Sequence, residues 1–325
     1  MVSLGQIVDE FTLKRFGKVV RNCELSSLSY WKIGGRCEAV FYPSSVEGLK
    51  FLLEVLNEND VRHNVVGKTS NLLFTSENIS GALIILGDEF NYVVDKNNGT
   101  FNIGAAATVP WTCFKIGSRG YSGVEHCVGI PGTIGGLIYM NGGSMRRAIG
   151  DVISKVVALR ISDLTIVELS NNECQFSYRN SLFQKNEYIV IEITINLNRS
   201  GAKEIKEEML NILKQRRAKF PLDYPSCGSV FKSTTELYEH YGPPGKIIEN
   251  LGLKNTRIGG ARISKKHANF IINENNACSS DVINLVRFIS DKFFKETGLT
   301  LPTEVNLVNS QLEILPLSEF LNSNA

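Results

Sequence analysis

Residues 123–143 read GVEHCVGIPGTIGGLIYMNGG and hold seven glycines in 21 positions, among Ile, Leu, Val and Met. A flexible linker would instead be polar and rich in glycine and serine. Because glycine costs conformational entropy on folding, a dense group of glycines indicates positive φ angles or close approach of the backbone to another surface. Two interpretations follow: tight turns in a buried β region, or a backbone that lies against a large ligand.

Length and composition indicate a globular protein of about two domains. The chain has 325 residues, of which 43% are hydrophobic and 21% are charged, and a domain takes roughly 150 residues. Lys and Arg total 35 against 33 for Asp and Glu, which leaves a net charge of +2. Because nucleic-acid-binding domains usually carry a strongly basic face, this balance argues against a nucleic-acid partner.

The cysteines and histidines lack the spacings of a metal site or a disulfide framework. None of the seven cysteines forms a C-x-x-C pair, and none of the four histidines forms an H-x-x-x-H pair. We therefore expect reduced thiols and no metal. The N-terminus has no apolar segment of signal-peptide length, and no run of about 18 apolar residues occurs. These features predict a cytoplasmic protein with no membrane insertion.

The pattern of apolar residues predicts an α+β fold. Short strand-like runs such as KVVALRIS (155–162) and YIVIEITINL (188–197) are frequent in the first 200 residues, and helical patterns are fewer there. This mixture is typical of several small sheets and does not show a regular βαβ alternation.

Three stretches predict longer helices. The first has the S-x-x-E capping-box pattern from Ser44. The second begins after Asn198 and carries apolar residues on one face, and the third covers about 280–298. The change in composition after Asn198 places a domain boundary near residue 200.

The stretch VVGKTSNLLF (65–74) predicts a strand followed by a turn of small residues. It is not a nucleotide-triphosphate P-loop, because Arg62 stands where the first glycine of that motif is needed. Backbone N–H groups and small polar side chains in such a turn can hold a phosphate, and an ordinary strand and turn is the alternative. Together with the glycine-rich stretch about 60 residues later, the turn suits a long dinucleotide, although 129–136 is not G-x-G-x-x-G.

Three polar residues lie where they could carry chemistry. Ser229 follows a glycine in YPSCGSVFKS (224–233) and could donate a proton, with an ordinary turn serine as the alternative. Arg179 lies among aromatic and apolar residues and needs an acidic partner from the protein or a ligand. Glu304 lies in an apolar segment, where a carboxyl group is a candidate proton donor. Alternatively, Arg179 and Glu304 pair with each other or with the surface.

Eight motifs together resemble a known family. They are SYWKIGG (29–35), VVGKTSNLL (65–73), GVEHCVGIPGTIGGLIYMNGG (123–143), FSYRNSLF (176–183), RRAKFPLDYPSCGSVFK (216–232), PPGKIIENLGLKN (243–255), GGARISKKHANFIIN (259–273) and GLTLPTEV (298–305). Their order and content are similar to the UDP-N-acetylenolpyruvoylglucosamine reductases (MurB), from about residue 25 to 307. The short connection after Phe183 resembles the type II form.

The resemblance implies an α+β fold with two FAD-binding subdomains of the vanillyl-alcohol-oxidase type, at residues 1–80 and 81–200, and a substrate-binding domain at 201–325. It also implies non-covalent FAD. The implied cofactor contacts are Gly67, Lys68, Thr69, Ser70, Asn71, Leu72, Gly129, Ile130, Pro131, Gly132, Thr133, Gly135 and Gly136. By this resemblance, the glycines are present for the flavin and its pyrophosphate.

The resemblance further implies an NADPH-dependent reduction of UDP-N-acetylglucosamine enolpyruvate in peptidoglycan precursor synthesis, by a monomeric enzyme. In this reaction Ser229 would donate the proton, and Arg179 and Glu304 would stabilise developing negative charge. The implied substrate-binding residues are Tyr178, Arg217, Lys232, Ser233, Lys265 and His267, and Arg216 adds to the same basic group. Two residues depart from the family pattern: Ser233 replaces a larger residue, and Asn255 stands where glycine is common.

Two other functions stay open. An oxidase of the same FAD-binding fold could attach its flavin covalently through His126 or Cys127. A catalytically silent nucleotide-binding scaffold is the second alternative. The joint presence of Ser229, Arg179 and Glu304 argues against the scaffold, since a silent relative has no chemical reason to keep all three.

Overall fold

A computed structural model of the protein describes residues 2–323. Within them the α-helices are α1 (Leu4–Leu13), α2 (Leu25–Leu28), α3 (Val46–Glu58), α4 (Val109–Gly117), α5 (Ile134–Tyr139), α6 (Ala202–Lys219), α7 (Thr235–Tyr241), α8 (Pro244–Asn250), α9 (Ser279–Thr297) and α10 (Leu317–Ser323). Short 3₁₀ turns lie at Asp88–Phe90, Glu125–Cys127, Ile149–Asp151 and Leu182–Lys185. None of these helices combines the length and the apolar character needed to span a bilayer.

The strands form small, mostly antiparallel sheets. They are β1 (Gly17–Glu24), β2 (Arg36–Pro43), β3 (His63–Val65), β4 (Leu72–Phe74), β5 (Ile79–Ile84), β6 (Val93–Asp95), β7 (Thr100–Gly104), β8 (Tyr121–Ser122), β9 (Ile153–Arg160), β10 (Ile166–Ser170), β11 (Tyr188–Asn196), β12 (Asn198–Arg199), β13 (Arg257–Ile258), β14 (Ala261–Ile263), β15 (Ile271–Asn273), β16 (Asn306–Val308) and β17 (Ile314–Pro316). One sheet has the strand order β1–β2–β5–β3. The mixture of helices and small sheets confirms the predicted α+β fold.

The chain divides into two compact units. The first unit consists of the residues up to Val20, Ala39–Lys68 and Leu83–Arg216. The second unit consists of Arg21–Glu38, Thr69–Ala82 and the residues from Arg217 on. The three-part division at residues 80 and 200 stays a prediction, because the bounds of these two units are different.

The first unit is built on a five-stranded antiparallel sheet with the order β10–β9–β11–β7–β6. Ile193 on the central strand β11 pairs with Val156 on β9 and Ile103 on β7, and such β-branched pairs stabilise neighbouring strands. Helix α6 packs on the same core, where Gly117 lies against Ile205 and Met209. Because most of α6 packs on this core, the boundary between the two units lies in its last turn, between Arg216 and Arg217.

The second unit has a core formed by helix α9 and two three-stranded sheets, β13–β14–β15 and β17–β16–β4. Trp31 is fully buried in it, and its indole N–H donates to the Ile271 carbonyl at 2.8 Å. Strand β4 pairs in parallel with β16, with Leu73 opposite Leu307. Gly298, whose φ of 71° is left-handed, caps helix α9. The helix thus agrees with the one predicted over about 280–298.

The predicted start of helix α3 is wrong by one residue. Ser45, and not Ser44, caps the helix, and its hydroxyl accepts a hydrogen bond from the Gly48 amide at 3.1 Å. The hydroxyl of Ser44 instead donates to the Phe16 carbonyl at 3.1 Å. The side chain of Ser44, which the local pattern assigned to the cap, is therefore bonded instead to a residue that is distant in sequence.

Candidate active site

The segment that carries Ser229 lies beside the segment that carries Glu304 in the second unit. The Val230 carbonyl accepts a hydrogen bond from the Glu304 amide at 2.7 Å. An antiparallel bridge joins the next residue, Phe231, to Thr303. The side chains of Ser229 and Glu304 are both half-buried, so a ligand can reach them. The structure thus brings together two of the three residues predicted to carry the chemistry.

The turn at residues 69–72, which was predicted to hold a phosphate, is bonded to the protein through two of its side chains. Thr69 has a φ of 56°, and its hydroxyl donates to the Leu28 carbonyl at 2.9 Å. The Asn71 side-chain amide donates to the Glu304 carbonyl at 2.9 Å. Asn71 therefore connects the turn to the Glu304 segment, a contact that the sequence did not indicate.

Cys227 joins the same turn to the serine segment. Its thiol is buried and donates to the Leu72 carbonyl at 3.3 Å. Burial raises the pKa of Cys227, so the thiol stays a neutral donor. Because Cys227 precedes Ser229 by two residues, this bond holds the turn near the serine. Ser70 and Leu72 are half-buried in the turn, and their contact with a cofactor stays a prediction.

The predicted substrate-binding residues of the second unit differ in exposure. Arg217 and Lys265 are exposed, and Lys232, Ser233 and His267 are half-buried. The Lys232 amide donates to the Pro302 carbonyl at 2.8 Å, so Lys232 shares the extended segment of Ser229. Sequence analysis missed Lys266, whose ammonium group donates to the Arg217 carbonyl at 2.6 Å and links the two basic segments.

His267 is packed against an aromatic ring and is uncharged at neutral pH. The centroids of the His267 and Phe220 rings lie 5.2 Å apart. The Nδ1 atom of His267 accepts a hydrogen bond from the Asn269 amide at 3.3 Å. Burial lowers the pKa of His267 to about 4, and the nearby Lys219 and Lys254 act in the same direction. The ring would therefore offer a phosphate a hydrogen bond but no charge.

The low pKa of His267 predicts a loss of stability in acid. Its value of about 4 in the folded protein lies below its ordinary value of 6.5, so the unfolded chain binds the proton first as the pH falls. From this residue alone, the free energy of unfolding should fall by ~2 kcal/mol as the pH drops across that range, after allowing for partial exposure. In His267→Gln, urea unfolding at several pH values should show a shallower fall. Equal pH dependence in variant and wild type would contradict this assignment.

Asn255 lies in a left-handed turn that explains the glycine common at its position in the family. Its φ is 70°, a conformation that glycine and asparagine adopt at low cost. The departure from the family pattern therefore preserves the backbone.

Ser233 precedes Thr234, which caps helix α7 by accepting a hydrogen bond from the Leu237 amide at 3.3 Å.

Gly67 and the glycine-rich stretch 129–136 meet in the first unit. A Cβ atom on Gly67 would lie 2.6 Å from the Thr133 hydroxyl, so only glycine allows this close approach. Thr133 also caps helix α5, since its hydroxyl accepts a hydrogen bond from the Gly136 amide at 3.3 Å. Two turns that are distant in sequence therefore lie side by side.

The protein's own packing explains part of the glycine content of residues 123–143. The Gly135 amide donates to the Ala105 carbonyl at 2.8 Å, and a Cβ on Gly135 would lie 3.3 Å from the Ala105 Cβ. The side chain of Arg216 occupies the space where a Cβ on Gly129 would lie. Arg216 therefore belongs with the glycine-rich stretch of the first unit and not with the basic residues of the second. At these positions, the packing of the protein leaves little room for a side chain.

Other positions of the stretch leave backbone that is accessible to a ligand. Gly136 and Pro131 are exposed, and a Cβ on Gly136 would make only an ordinary contact, 3.5 Å from the Thr133 hydroxyl. Between them, the buried Gly132 has a φ of 129°, which other residues rarely adopt. Lys68 is exposed beside these turns. The other predicted cofactor contacts of this unit, apart from the buried Thr133, are half-buried: Gly67, Gly129, Ile130 and Gly135.

Arg179 stands in a tight, strained turn of the first unit. Its φ of 53° is uncommon for a residue other than glycine. Two backbone hydrogen bonds of 3.1 Å between Ser177 and Asn180 close the turn. The guanidinium carbon lies 5.3 Å from the ring centroid of the exposed Tyr178, and Nη2 donates to the Gly143 carbonyl at 3.2 Å. Backbone strain of this kind is concentrated at functional sites.

Asn141, which sequence analysis missed, supports the Arg179 turn. Its side-chain amide donates to the Ser177 carbonyl at 2.8 Å, and its side-chain oxygen accepts from the Gly150 amide at 3.1 Å. Its own φ is 41°. The sequence N-G-G at 141–143 carried a signal for a left-handed turn, but it did not reveal the contact with the arginine segment.

His126 and Cys127, the candidates for covalent flavin attachment, are buried in the first unit. They are only 2% and 1% exposed. Burial raises the pKa of Cys127 to about 12, so its thiol is a poor nucleophile. Burial also lowers the pKa of His126. Their inaccessibility argues against a covalent bond to a flavin.

All but one of the remaining cysteines are likewise buried, and Cys278 is half-buried. All seven cysteines are free, and six of them are buried. Within residues 2–323, no group of three or more His, Cys, Asp or Glu side chains could hold a metal ion.

Two family models match the chain. Residues 37–168 match an FAD binding domain. Residues 220–308 match the model described as UDP-N-acetylenolpyruvoylglucosamine reductase, C-terminal domain. The first match includes Gly67 and the stretch 129–136, and the second includes Ser229 and Glu304. The predicted FAD-binding fold is confirmed by these matches.

Curated proteins and a solved structure are similar to almost the whole chain. UDP-N-acetylenolpyruvoylglucosamine reductase 1 of Corynebacterium glutamicum is 38% identical over 91% of this chain and 88% of its own. The UDP-N-acetylenolpyruvoylglucosamine reductase of Halalkalibacterium halodurans is 34% identical over 95% of this chain and 100% of its own. The crystal structure of UDP-N-acetylenolpyruvylglucosamine reductase (MurB) from Thermus caldophilus superposes with a TM-score of 0.75, at 27% identity, over 90% of this chain and 99% of that one.

Proposed function

Because the chain belongs to the UDP-N-acetylenolpyruvoylglucosamine reductase family, we propose that it is an NADPH-dependent enzyme that reduces UDP-N-acetylglucosamine enolpyruvate to UDP-N-acetylmuramate. It is an oxidoreductase with an FAD-binding domain. The observation that supports the proposed chemistry most directly is the 2.7 Å hydrogen bond between the Val230 carbonyl and the Glu304 amide. It holds a hydroxyl and a carboxyl group on adjacent, half-buried segments.

In the first unit, the accessible backbone around Pro131 and Gly136 and the adjoining Gly67 turn would hold FAD without a covalent bond. When bound, FAD supplies the hydride for the reduction, and NADPH is the proposed source of its electrons. The protein residues would then bind the substrate and neutralise charge. Lys68 is exposed at the same turns and would contact the cofactor.

In the second unit, Ser229 and Glu304 would act on the enolpyruvyl group. Addition of a hydride to one carbon of its double bond leaves negative charge on the other carbon and the attached carboxylate. Ser229 would donate a proton to that carbon, which completes the addition of two hydrogens. Glu304 would contact the same enolpyruvyl group through its side chain. The bonds from Asn71 and Val230 to the Glu304 backbone would keep its side chain in place.

In the first unit, Arg179 would stabilise developing negative charge with its guanidinium group. Its strained backbone and its hydrogen bond to the Gly143 carbonyl support a functional role for the turn. The exposed Tyr178 beside it would contact the substrate. In the second unit, Arg217, Lys232 and Lys265 would bind the diphosphate of the nucleotide sugar, and Ser233 and His267 would add hydrogen bonds.

The visible spectrum of the purified protein, recorded without oxygen, tests this proposal. NADPH should bleach the flavin absorbance, and UDP-N-acetylglucosamine enolpyruvate should restore it. Recovery only after admission of oxygen would replace the reductase with an oxidase. A protein that contains no flavin and cannot be loaded with FAD would contradict the proposal for the glycine-rich turns.

A further inference from the structure

Asn269 is bonded to the backbone next to Ser229, and we propose that it is a positioning residue for proton donation by that serine. The inference rests on the proposed function, in which Ser229 is the proton donor. Asn269 is 5% exposed and lies between the apolar residues Ala268 and Phe270. A buried amide of this kind must be hydrogen-bonded within the protein.

Asn269 makes three hydrogen bonds to the two residues that follow Ser229. Its side-chain oxygen accepts from the Phe231 amide at 2.9 Å, and its side-chain nitrogen donates to the Phe231 carbonyl at 3.0 Å. Its backbone carbonyl accepts from the Val230 amide at 2.9 Å. The side-chain amide thus pairs with Phe231 as the peptide group of a neighbouring strand would. Phe231 follows Val230 by one residue and Ser229 by two.

The opposite edge of the same segment is held by the chain around Glu304. The Val230 carbonyl accepts from the Glu304 amide at 2.7 Å, and the Lys232 amide donates to the Pro302 carbonyl at 2.8 Å. Val230 and Phe231 are at most 1% exposed. Their peptide groups therefore have no access to water, and every bond along the segment contributes to its placement.

The side-chain amide of asparagine has the two functional groups that this clamp uses. Its side chain offers an acceptor and a donor at the spacing of a peptide group. Leucine has a similar volume but neither function, and an ionised aspartate has only the acceptor. Loss of the clamp would leave a donor and an acceptor of Phe231 unpaired in the interior. A shift of about 1 Å at a reacting group can cost on the order of 100-fold in rate, so Ser229 depends on this placement.

The test compares FAD-loaded wild type, Asn269→Leu and Ser229→Ala. Each protein is reduced with dithionite without oxygen and mixed with UDP-N-acetylglucosamine enolpyruvate in H₂O and in D₂O, and the return of flavin absorbance is timed. In Asn269→Leu we expect a rate at least about tenfold lower and a larger solvent isotope effect. In the protein without substrate, hydrogen exchange at the Phe231 amide should be about tenfold faster, because that amide loses its side-chain acceptor. The Val230 amide, which is bonded to the backbone carbonyl of residue 269, should change less.

Asn273→Leu is a matched control in the same unit. Its side chain also donates to one backbone carbonyl, that of Trp31, and accepts from one backbone amide, that of Ala277, both at 2.9 Å. This variant should lose stability but keep the wild-type rate and isotope effect. If Asn273→Leu slowed the reaction as much as Asn269→Leu, a general loss of packing would replace the positioning role.

The outcomes separate the inference from the proposed function. If Ser229→Ala is slow and Asn269→Leu reacts like wild type, the positioning role of Asn269 is overturned and the proton donor stands. If Ser229→Ala itself reacts like wild type, the proposed donor fails, and the role of Asn269 fails with it. Should Asn269→Leu not fold, Asn269→Asp replaces it: its reaction should be slow in alkaline buffer and recover in acid, where a protonated carboxyl regains a donor. A rate independent of pH and equal to wild type would overturn the inference.

Discussion

Replacing Ser229 with alanine is expected to lower the turnover rate by about 10²–10⁴-fold, the usual contribution of a positioned general acid. The serine follows Gly228, which has a φ of 77°, and a Cβ atom added to this glycine would meet no other atom within 4 Å. Glycine is therefore needed there for its conformation, and the turn presents the hydroxyl on a half-buried segment. Steady-state turnover with NADPH and the enolpyruvyl substrate measures the effect. Ser229→Cys should retain more activity than Ser229→Ala, because a thiol can still donate a proton.

Ser76→Ala is the matched control for this prediction. The Ser76 hydroxyl accepts a hydrogen bond from the Ser279 amide at 2.8 Å in the same unit, so this variant loses a hydroxyl group with a structural role. Its turnover should equal that of wild type. Undiminished turnover in Ser229→Ala, with flavin content unchanged, would remove this serine from the mechanism.

Replacing Arg179 with glutamine is expected to lower turnover by about 10²–10³-fold, as for the loss of one group that stabilises developing negative charge. The turn that carries Arg179 is fixed by the bonds of Asn141 and by the contact of the guanidinium with the Gly143 carbonyl. Arg179→Lys keeps the charge but loses the planar donor geometry. Its activity should therefore lie between that of wild type and that of Arg179→Gln. Flavin absorbance should show that FAD content is unchanged in both variants.

Arg147→Gln is the corresponding control in the first unit. The Arg147 guanidinium also donates to a backbone carbonyl, that of Gly123, at 3.1 Å, and the residue is exposed. Its loss should leave turnover near that of wild type. Equal losses in Arg147→Gln and Arg179→Gln would indicate a general effect of positive charge, and the specific role of Arg179 would be withdrawn.

The glycine-rich stretch shows why composition suggests more than one explanation. Gly135 lies against Ala105, and the side chain of Arg216 occupies the space where a Cβ on Gly129 would lie, so packing within the protein favours glycine at both positions. Gly136 has no comparably close neighbour to explain it, and it provides exposed backbone suited to FAD. Packing within the protein therefore explains some positions of the stretch, and contact of Gly136 with a bound ligand stays a prediction.

The sequence by itself determined the elements whose signals are local or repeated along the chain. The β-branched runs predicted β9 and β11, and the apolar face of residues 280–298 predicted helix α9, because periodicity depends only on neighbouring residues. The motifs, taken together, also identified the family and the FAD-binding domain. The same motifs made Ser229 and Glu304 candidates for the chemistry, and their roles stay predictions.

Only the tertiary structure decided which side chains support the candidate site. Asn71, Asn269 and Cys227 bond to segments that are 233, 38 and 155 residues away in the chain. Likewise, Ser44 is diverted from the cap of α3 by Phe16. A hydrogen bond between distant segments leaves no periodic trace in the sequence, because either partner alone is compatible with many environments. Such a hydrogen bond forms only when the chain folds, because burial then requires each polar group to be hydrogen-bonded.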